Sequence, residues 1–184
     1  PKKYFWFKVN VKGLRGGHSG SDIDKGFGNA NKILARFLNS ISRKKYNMIL
    51  SEIGGGNLHN AIPREAYALI GVKEKYKEDI RVKLNTFLAD VQNELKHTEP
   101  NLDIQLESVQ IPSKVINRKT TEKLILALNA CPHGVIGMSH DIPGLVETST
   151  NLASIKMLPD NLIEIGTSQR SSVESQKRYI VNMV

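Results

Sequence analysis

Two hydrophobic periods alternate along the first 110 residues, and their order constrains the fold more than any single motif does. Residues 5–14 (FWFKVNVKGL) place Phe5, Phe7, Val9 and Val11 two apart, the spacing of a half-buried strand. From Gly28 to Lys45 apolar residues step by three and four through Ala30, Ile33, Leu34, Phe37, Leu38 and Ile41, which predicts a helix with one buried face. Residues 46–53 read as a strand, broken by the loop Gly54-Gly55-Gly56-Asn57. Residues 65–73 alternate again. Residues 75–97 carry Ile80, Leu84, Phe87, Leu88, Val91 and Leu95 at helical steps, and Pro100 ends that helix. Residues 102–109 supply one more alternating strand. Strand-helix-strand-strand-helix-strand predicts a mixed α/β chain of the α+β type. Its antiparallel sheet carries both helices on one face, a ferredoxin-like two-layer sandwich.

The remainder repeats the scheme less completely. Residues 119–130 read as a helix started by Thr120 or Thr121. Residues 145–158 and 162–168 read as a strand pair turning at Pro159-Asp160-Asn161. A further helix begins near Val173, capped by Ser171 or Ser172, and its pattern is still apolar at Ile180, Val181 and Val184. The expectation is one domain over 1–184 with two sub-units, about 4–110 and 111–184, the second an αββα unit that lacks a closing element. A chain that starts at Pro1 rather than Met is what an excised domain or a processed product would look like.

Composition excludes several classes. Of 184 residues, 40% are hydrophobic and 24% charged, as in ordinary globular chains. No run approaches the ~18 consecutive apolar residues of a membrane span. The apolar run in Tyr4-Phe5-Trp6-Phe7 is too short, and too soon broken by Lys8 and Asn10, to act as a signal peptide. One cysteine, Cys131, forms no intrachain disulfide, which favours a cytoplasmic setting and a structural role for the thiol. The net charge of +8 invites a nucleic-acid reading. The positive residues are spread out, however, and the densest run, Arg43-Lys44-Lys45, closes a helix, where the dipole favours cations. A basic nucleic-acid-binding module would also need exposed aromatics interleaved on its strands, which are not visible here. A purely structural dimerisation module is the other alternative.

Three residues could carry chemistry. His18 lies in Gly16-Gly17-His18-Ser19-Gly20 directly after a strand. Flanking glycines permit close approach by another molecule, and the ring is either an exposed donor or an incidental turn residue. Asn60, before Ala61-Ile62-Pro63, can donate and accept at once or simply form a turn. Arg170 closes a strand in Thr167-Ser168-Gln169-Arg170-Ser171-Ser172. Its planar fork suits a carboxylate, or a surface salt bridge. His59, His97, His133 and His140 stand in no ligand spacing. H-E-x-x-H, C-x-x-C, H-x-D and a Glu-Glu doublet are all absent, so no metal site is expected within this chain.

The run Val9-Asn10-Val11-Lys12-Gly13-Leu14-Arg15-Gly16-Gly17-His18-Ser19-Gly20 resembles the lid-domain entry of the bacterial aminoacyl-histidine dipeptidases, the Xaa-His dipeptidase or peptidase D family. Gly26-Phe27-Gly28-Asn29-Ala30-Asn31-Lys32, Asn60-Ala61-Ile62-Pro63-Arg64-Glu65, Pro132-His133-Gly134-Val135 and Val146-Glu147-Thr148-Ser149 continue the resemblance in order. It implies a two-domain enzyme whose catalytic domain binds two zinc ions and carries this lid as an insertion. None of that family's zinc ligands falls on a position here. What the resemblance assigns is the substrate-facing set: His18 stabilising the oxyanion, Asn60 contacting substrate, and Arg170 holding the substrate's terminal carboxylate. The implied partners are the chain's own catalytic domain, a dipeptide substrate and a second copy through the lid, with no nucleic acid and no membrane. The fragment alone is expected to be inactive.

Overall fold

In the computed structural model, residues 3–42 and 45–184 are described. The alternation at the start becomes β1 (Tyr4–Lys12), which buries Phe7, Val9 and Val11 and leaves Lys8, Asn10 and Lys12 half-exposed. There follow β2 (Gly17–His18), α1 (Ala30–Ile41), β3 (Ile49–Gly55), β4 (Ala61–Ile62), β5 (Ala66–Lys73), α2 (Lys77–Glu94) and β6 (Asp103–Ser108). The second half adds α3 (Arg118–Ala130), β7 (Gly134–Met138), β8 (Val146–Leu158), β9 (Leu162–Ser171) and α4 (Glu174–Met183).

The first half pairs in the order β6-β1-β5-β3, all antiparallel, which is the ferredoxin-like arrangement that the two periods predict. Register places apolar residues opposite one another: Phe7 on Ile70, Val9 on Ala68, Val11 on Ala66. Ile33, Leu34, Phe37, Leu38 and Ile41 of α1 and Ile80, Leu84 and Val91 of α2 join them in one core. The rings of Phe37 and Phe87 meet at 5.5 Å between the helices. Leu34 and Phe37 are fully buried, so truncating either to alanine costs roughly 2–5 kcal/mol.

The second half extends the same sheet and the same core. β8 reaches β3 through Gly55 opposite Ile155, and Leu124, Ile125, Leu128, Leu152 and Ile155 join the core of the first half. β7 pairs with the start of β8 on the edge that β3 meets further along, and β9 runs along the opposite edge. The outer edge of β3 is also covered near its start, where Ile116 N–H donates to Leu50 O (2.8 Å) and Ser51 Oγ donates to Lys114 O (2.7 Å). The β8–β9 turn has Asp160 and Asn161 both at φ 62°, the left-handed pair that a tight hairpin requires and that Asp and Asn tolerate.

Several boundaries differ from the sequence reading. β3 continues through Gly54 and Gly55, because those glycines admit close packing rather than break the strand. A Cβ on Gly54 would stand 2.8 Å from the Tyr67 ring, and one on Gly55 only 2.1 Å from Asn31 Oδ1. α1 ends at Ile41; of the basic run expected to close it, Arg43 and Lys44 lie outside the described residues, and Lys45 instead reaches Asp79 at 2.7 Å. The cap of α3 is Asn117, whose side chain accepts from Thr120 N–H at 2.9 Å, rather than Thr120 or Thr121. α4 starts after Val173 without a side-chain cap bond. β2, β4 and β7 are additions, and β9 extends to Ser171, so Arg170 lies within the strand.

Candidate functional site

The strand β1 delivers the chain into a glycine turn, and the short β2 that follows pairs with β4, Gly17 opposite Ile62 and His18 opposite Ala61. Gly16 makes this entry possible: it sits at φ 68°, and a Cβ there would stand 2.3 Å from the Arg64 side chain. Ser19 N–H donates to Asn60 O at 2.8 Å, so the loop bearing His18 and the turn bearing Asn60, distant in sequence, are hydrogen-bonded side by side.

His18 is exposed. Its Nδ1 accepts from Gly20 N–H and Ser21 N–H, both at 3.2 Å. Two backbone donors leave Nδ1 only the acceptor role, so the ring proton resides on Nε2. His18 N–H donates to Asp22 Oδ2 at 2.7 Å, and Asp22 Oδ1 receives Lys25 Nζ at 2.6 Å. The Lys25 ammonium first, and the His18 N–H second, hold the Asp22 carboxyl below the usual carboxylate range.

Arg170 comes to the same loop from β9. The place a Cβ on Gly20 would occupy is 3.1 Å from His18 Cε1 and 3.3 Å from Arg170 Cζ. Gly20 therefore separates an imidazole from a guanidinium at contact distance. Arg170 is exposed and forms no ion pair among the described residues. Of the three residues singled out in the sequence, His18 and Arg170 meet at Gly20, and Asn60 joins through its carbonyl. An unpaired cation beside an outward N–H donor is an arrangement that receives anionic oxygen.

Behind the β2–β4 pair lies a buried amide network that periodicity alone does not reveal. Asn29 caps α1 through Oδ1, accepting from Lys32 N–H at 3.1 Å, which turns its Nδ2 inward. That Nδ2 donates to Leu152 O (3.0 Å) and lies 3.2 Å from His133 Nδ1 and 3.5 Å from Asn151 Oδ1. Asn151 Nδ2 in turn donates to Ala61 O at 2.8 Å, so β8 holds β4 from behind. Burial first, and the nearby Lys32 charge second, push the His133 imidazole down to about 4. Asparagine is a favoured residue at a helix start, which the structure shows for Asn29; nothing in periodicity marks Asn151 inside a strand as its partner.

Lys32 itself bridges to α3. Its Nζ donates to the carbonyls of Leu128 (3.1 Å), Asn129 (2.7 Å) and Cys131 (2.7 Å), the unsatisfied end of that helix. Cys131 is half-buried, and burial raises its thiol above the ordinary value. Glu99 closes the other side. It is buried, and its two oxygens accept from Arg15 N–H and Gly28 N–H, each at 2.8 Å.

Among the described residues, no group of three or more His, Cys, Asp or Glu side chains is gathered as a metal would require. The described side chains thus do not fit a zinc site, and no chemical step within this chain runs through one. No described helix is long and apolar enough to cross a membrane.

Comparison with known proteins places these features. Residues 2–99 match the peptidase dimerisation domain family. Over all 184 residues the chain is 41% identical to the cytosol non-specific dipeptidase of Escherichia coli (strain K12), of which it spans 38%. Its fold matches the crystal structure of aminoacylhistidine dipeptidase from Vibrio alginolyticus with a TM-score of 0.95 and 34% identity, covering 100% of this chain and 37% of that one. The chain thus spans well under half the length of the relatives it matches.

Proposed function

This chain belongs to the peptidase dimerisation domain family, and from that premise we propose that it is the lid of a two-domain dipeptidase. The observation that carries the reading is the meeting of His18 and Arg170 at Gly20, a donor and a cation presented together. Similarity over its whole length to two dipeptidases supports placing that pair over a peptide substrate. Two zinc ions in the remainder of the parent would supply the activated water and the polarised carbonyl. Within this chain, His18 Nε2–H donates to the oxygen that gains charge as the peptide carbonyl becomes tetrahedral. Arg170 holds the substrate's terminal carboxylate in its fork. Asn60 contacts the substrate backbone. Closure of the lid completes the site and excludes water.

The substrate class we propose is dipeptides with a C-terminal histidine, on the resemblance of the His18, Asn29 and Asn60 segments and on the name of the Vibrio protein. The name of the Escherichia coli protein points to broader use. The parent assayed on Xaa-His and other dipeptides of matched N-terminal residue separates the two; equal kcat/KM would remove the histidine preference.

The roles of the two side chains are separable by kinetics. His18→Ala in the parent lowers kcat about 100- to 1,000-fold with little change in KM and no loss of zinc. Arg170→Ala raises KM more than it lowers kcat, because a carboxylate anchor acts in ground and transition states alike. A His18→Ala parent of undiminished kcat, or one stripped of zinc, would overturn the assignment. Cytoplasmic location and a homodimer formed through this domain complete the proposal. Sedimentation of the chain at rising concentration tests the dimer; a monomer throughout would count against it.

A further inference from the structure

We propose that Asp22 is the positioning residue that sets His18 as an Nε2–H donor, an inference that rests on the reading of His18 as the oxyanion donor. A neutral imidazole has one donor and one acceptor nitrogen, and which is which follows from what the other nitrogen touches. When a histidine serves as a base, a carboxylate usually accepts from Nδ1–H and leaves Nε2 free to take a proton. Here the polarity is reversed. Two backbone N–H groups, of Gly20 and Ser21, point at Nδ1 from 3.2 Å each, so the outward nitrogen carries hydrogen and cannot serve as a base.

Those two N–H groups converge only because the chain doubles back over three residues, and Asp22 closes that turn from both sides. Its carboxylate Oδ2 accepts from His18 N–H at 2.7 Å, and its own N–H donates to His18 O at 3.0 Å. The second bond follows from the chain's path; the first depends on the side chain. Lys25, bound to the other carboxylate oxygen at 2.6 Å, fixes the carboxylate's orientation. The contacts of Asp22 with His18 are to its backbone, so it acts through the loop alone. Gly20 supports the same geometry, since the Cβ position is already crowded by His18 and Arg170.

The test has two arms. In the 184-residue chain labelled with 15N at histidine and held at pH 8, ring-nitrogen shifts distinguish the two neutral forms. Wild type and Asp22→Asn, whose amide oxygen still accepts from His18 N–H, are expected to give the Nε2–H pattern at His18. Asp22→Ala is expected to give a mixture of both forms. In the parent enzyme, Asp22→Ala should lower kcat about 10- to 100-fold with KM within about twofold, and Asp22→Asn should stay near wild type. An Asp22→Ala chain that keeps the pure Nε2–H pattern overturns the inference, as does an Asp22→Asn enzyme that falls with Asp22→Ala. If His18→Ala leaves kcat intact, the oxyanion reading fails, while the ring-nitrogen spectra still decide what sets the proton.

Discussion

Lowering the pH from 7.5 to 5 should cost this chain about 2 kcal/mol of folding stability through His133 alone. In the folded chain the imidazole is held down to about 4 by burial beside Asn29 and by Lys32, whereas in the unfolded chain it titrates near 6.5. The folded state therefore binds fewer protons in the interval between those values. Stability from this group is fully present above pH 6.5, declines as the pH falls through the interval, and is gone below about 4, a total of roughly 3 kcal/mol. Urea unfolding of wild type and His133→Gln at half-unit steps from pH 7.5 to 5 isolates the term, since glutamine can still accept from Asn29 but does not titrate there. The range stays above the point where most carboxylates protonate. The difference between the two curves should shrink by about 2 kcal/mol across it. Parallel curves would refute the claim that burial keeps this ring neutral.

Three further outcomes follow from single contacts. Lys32→Met strips three carbonyls at the end of α3 of a charged donor and should lower stability by about 2–3 kcal/mol, read as a drop in the urea midpoint with unchanged slope. Glu99→Ala leaves the Arg15 and Gly28 amides without their acceptor and should cost about 2–4 kcal/mol. A loss below ~1 kcal/mol would mean that water reaches them. Gly20→Ala places a methyl 3.1–3.3 Å from His18 and Arg170, so the thermal midpoint should move little while kcat/KM of the parent falls about tenfold; unchanged kinetics would show that the two side chains have room to part.

Long elements were legible, and the shortest ones were not. β1, α1, β5, α2 and β6 announce themselves by their period, as Phe7, Val9 and Val11 do, and β8 by its length, since Thr148 to Ile155 are buried on both faces. β2 and β4 are two residues long and exist only because they pair with each other. β7 has two glycines, Gly134 and Gly137, in five residues, and its Val135 and Ile136 are exposed, so it has no buried face to give it a period. In the candidate site, the His18 loop and Asn60 could be singled out from glycine spacing and family resemblance. That Arg170 would lie against Gly20 depends on β9 following β8 across the sheet, a long-range register that no local pattern carries. The same holds for Asn151, whose importance comes from Ala61, ninety residues earlier in the chain.

The joint between β3 and β8 has a mechanical consequence. One residue pair, Gly55 with Ile155, links the two ladders, so the hydrogen-bond lattice is nearly interrupted there. A force applied to β9 passes along β8 freely but crosses to β3 mainly through side chains: the amides of Asn29, Asn31 and Asn151, and the packing of α1 on α3 tied by Lys32. Side-chain packing yields to shear sooner than a ladder of backbone bonds. Shear at that joint would move His18 and Asn60, on the β4 side, relative to Arg170 on β9, and so change the gap between the donor and the cation.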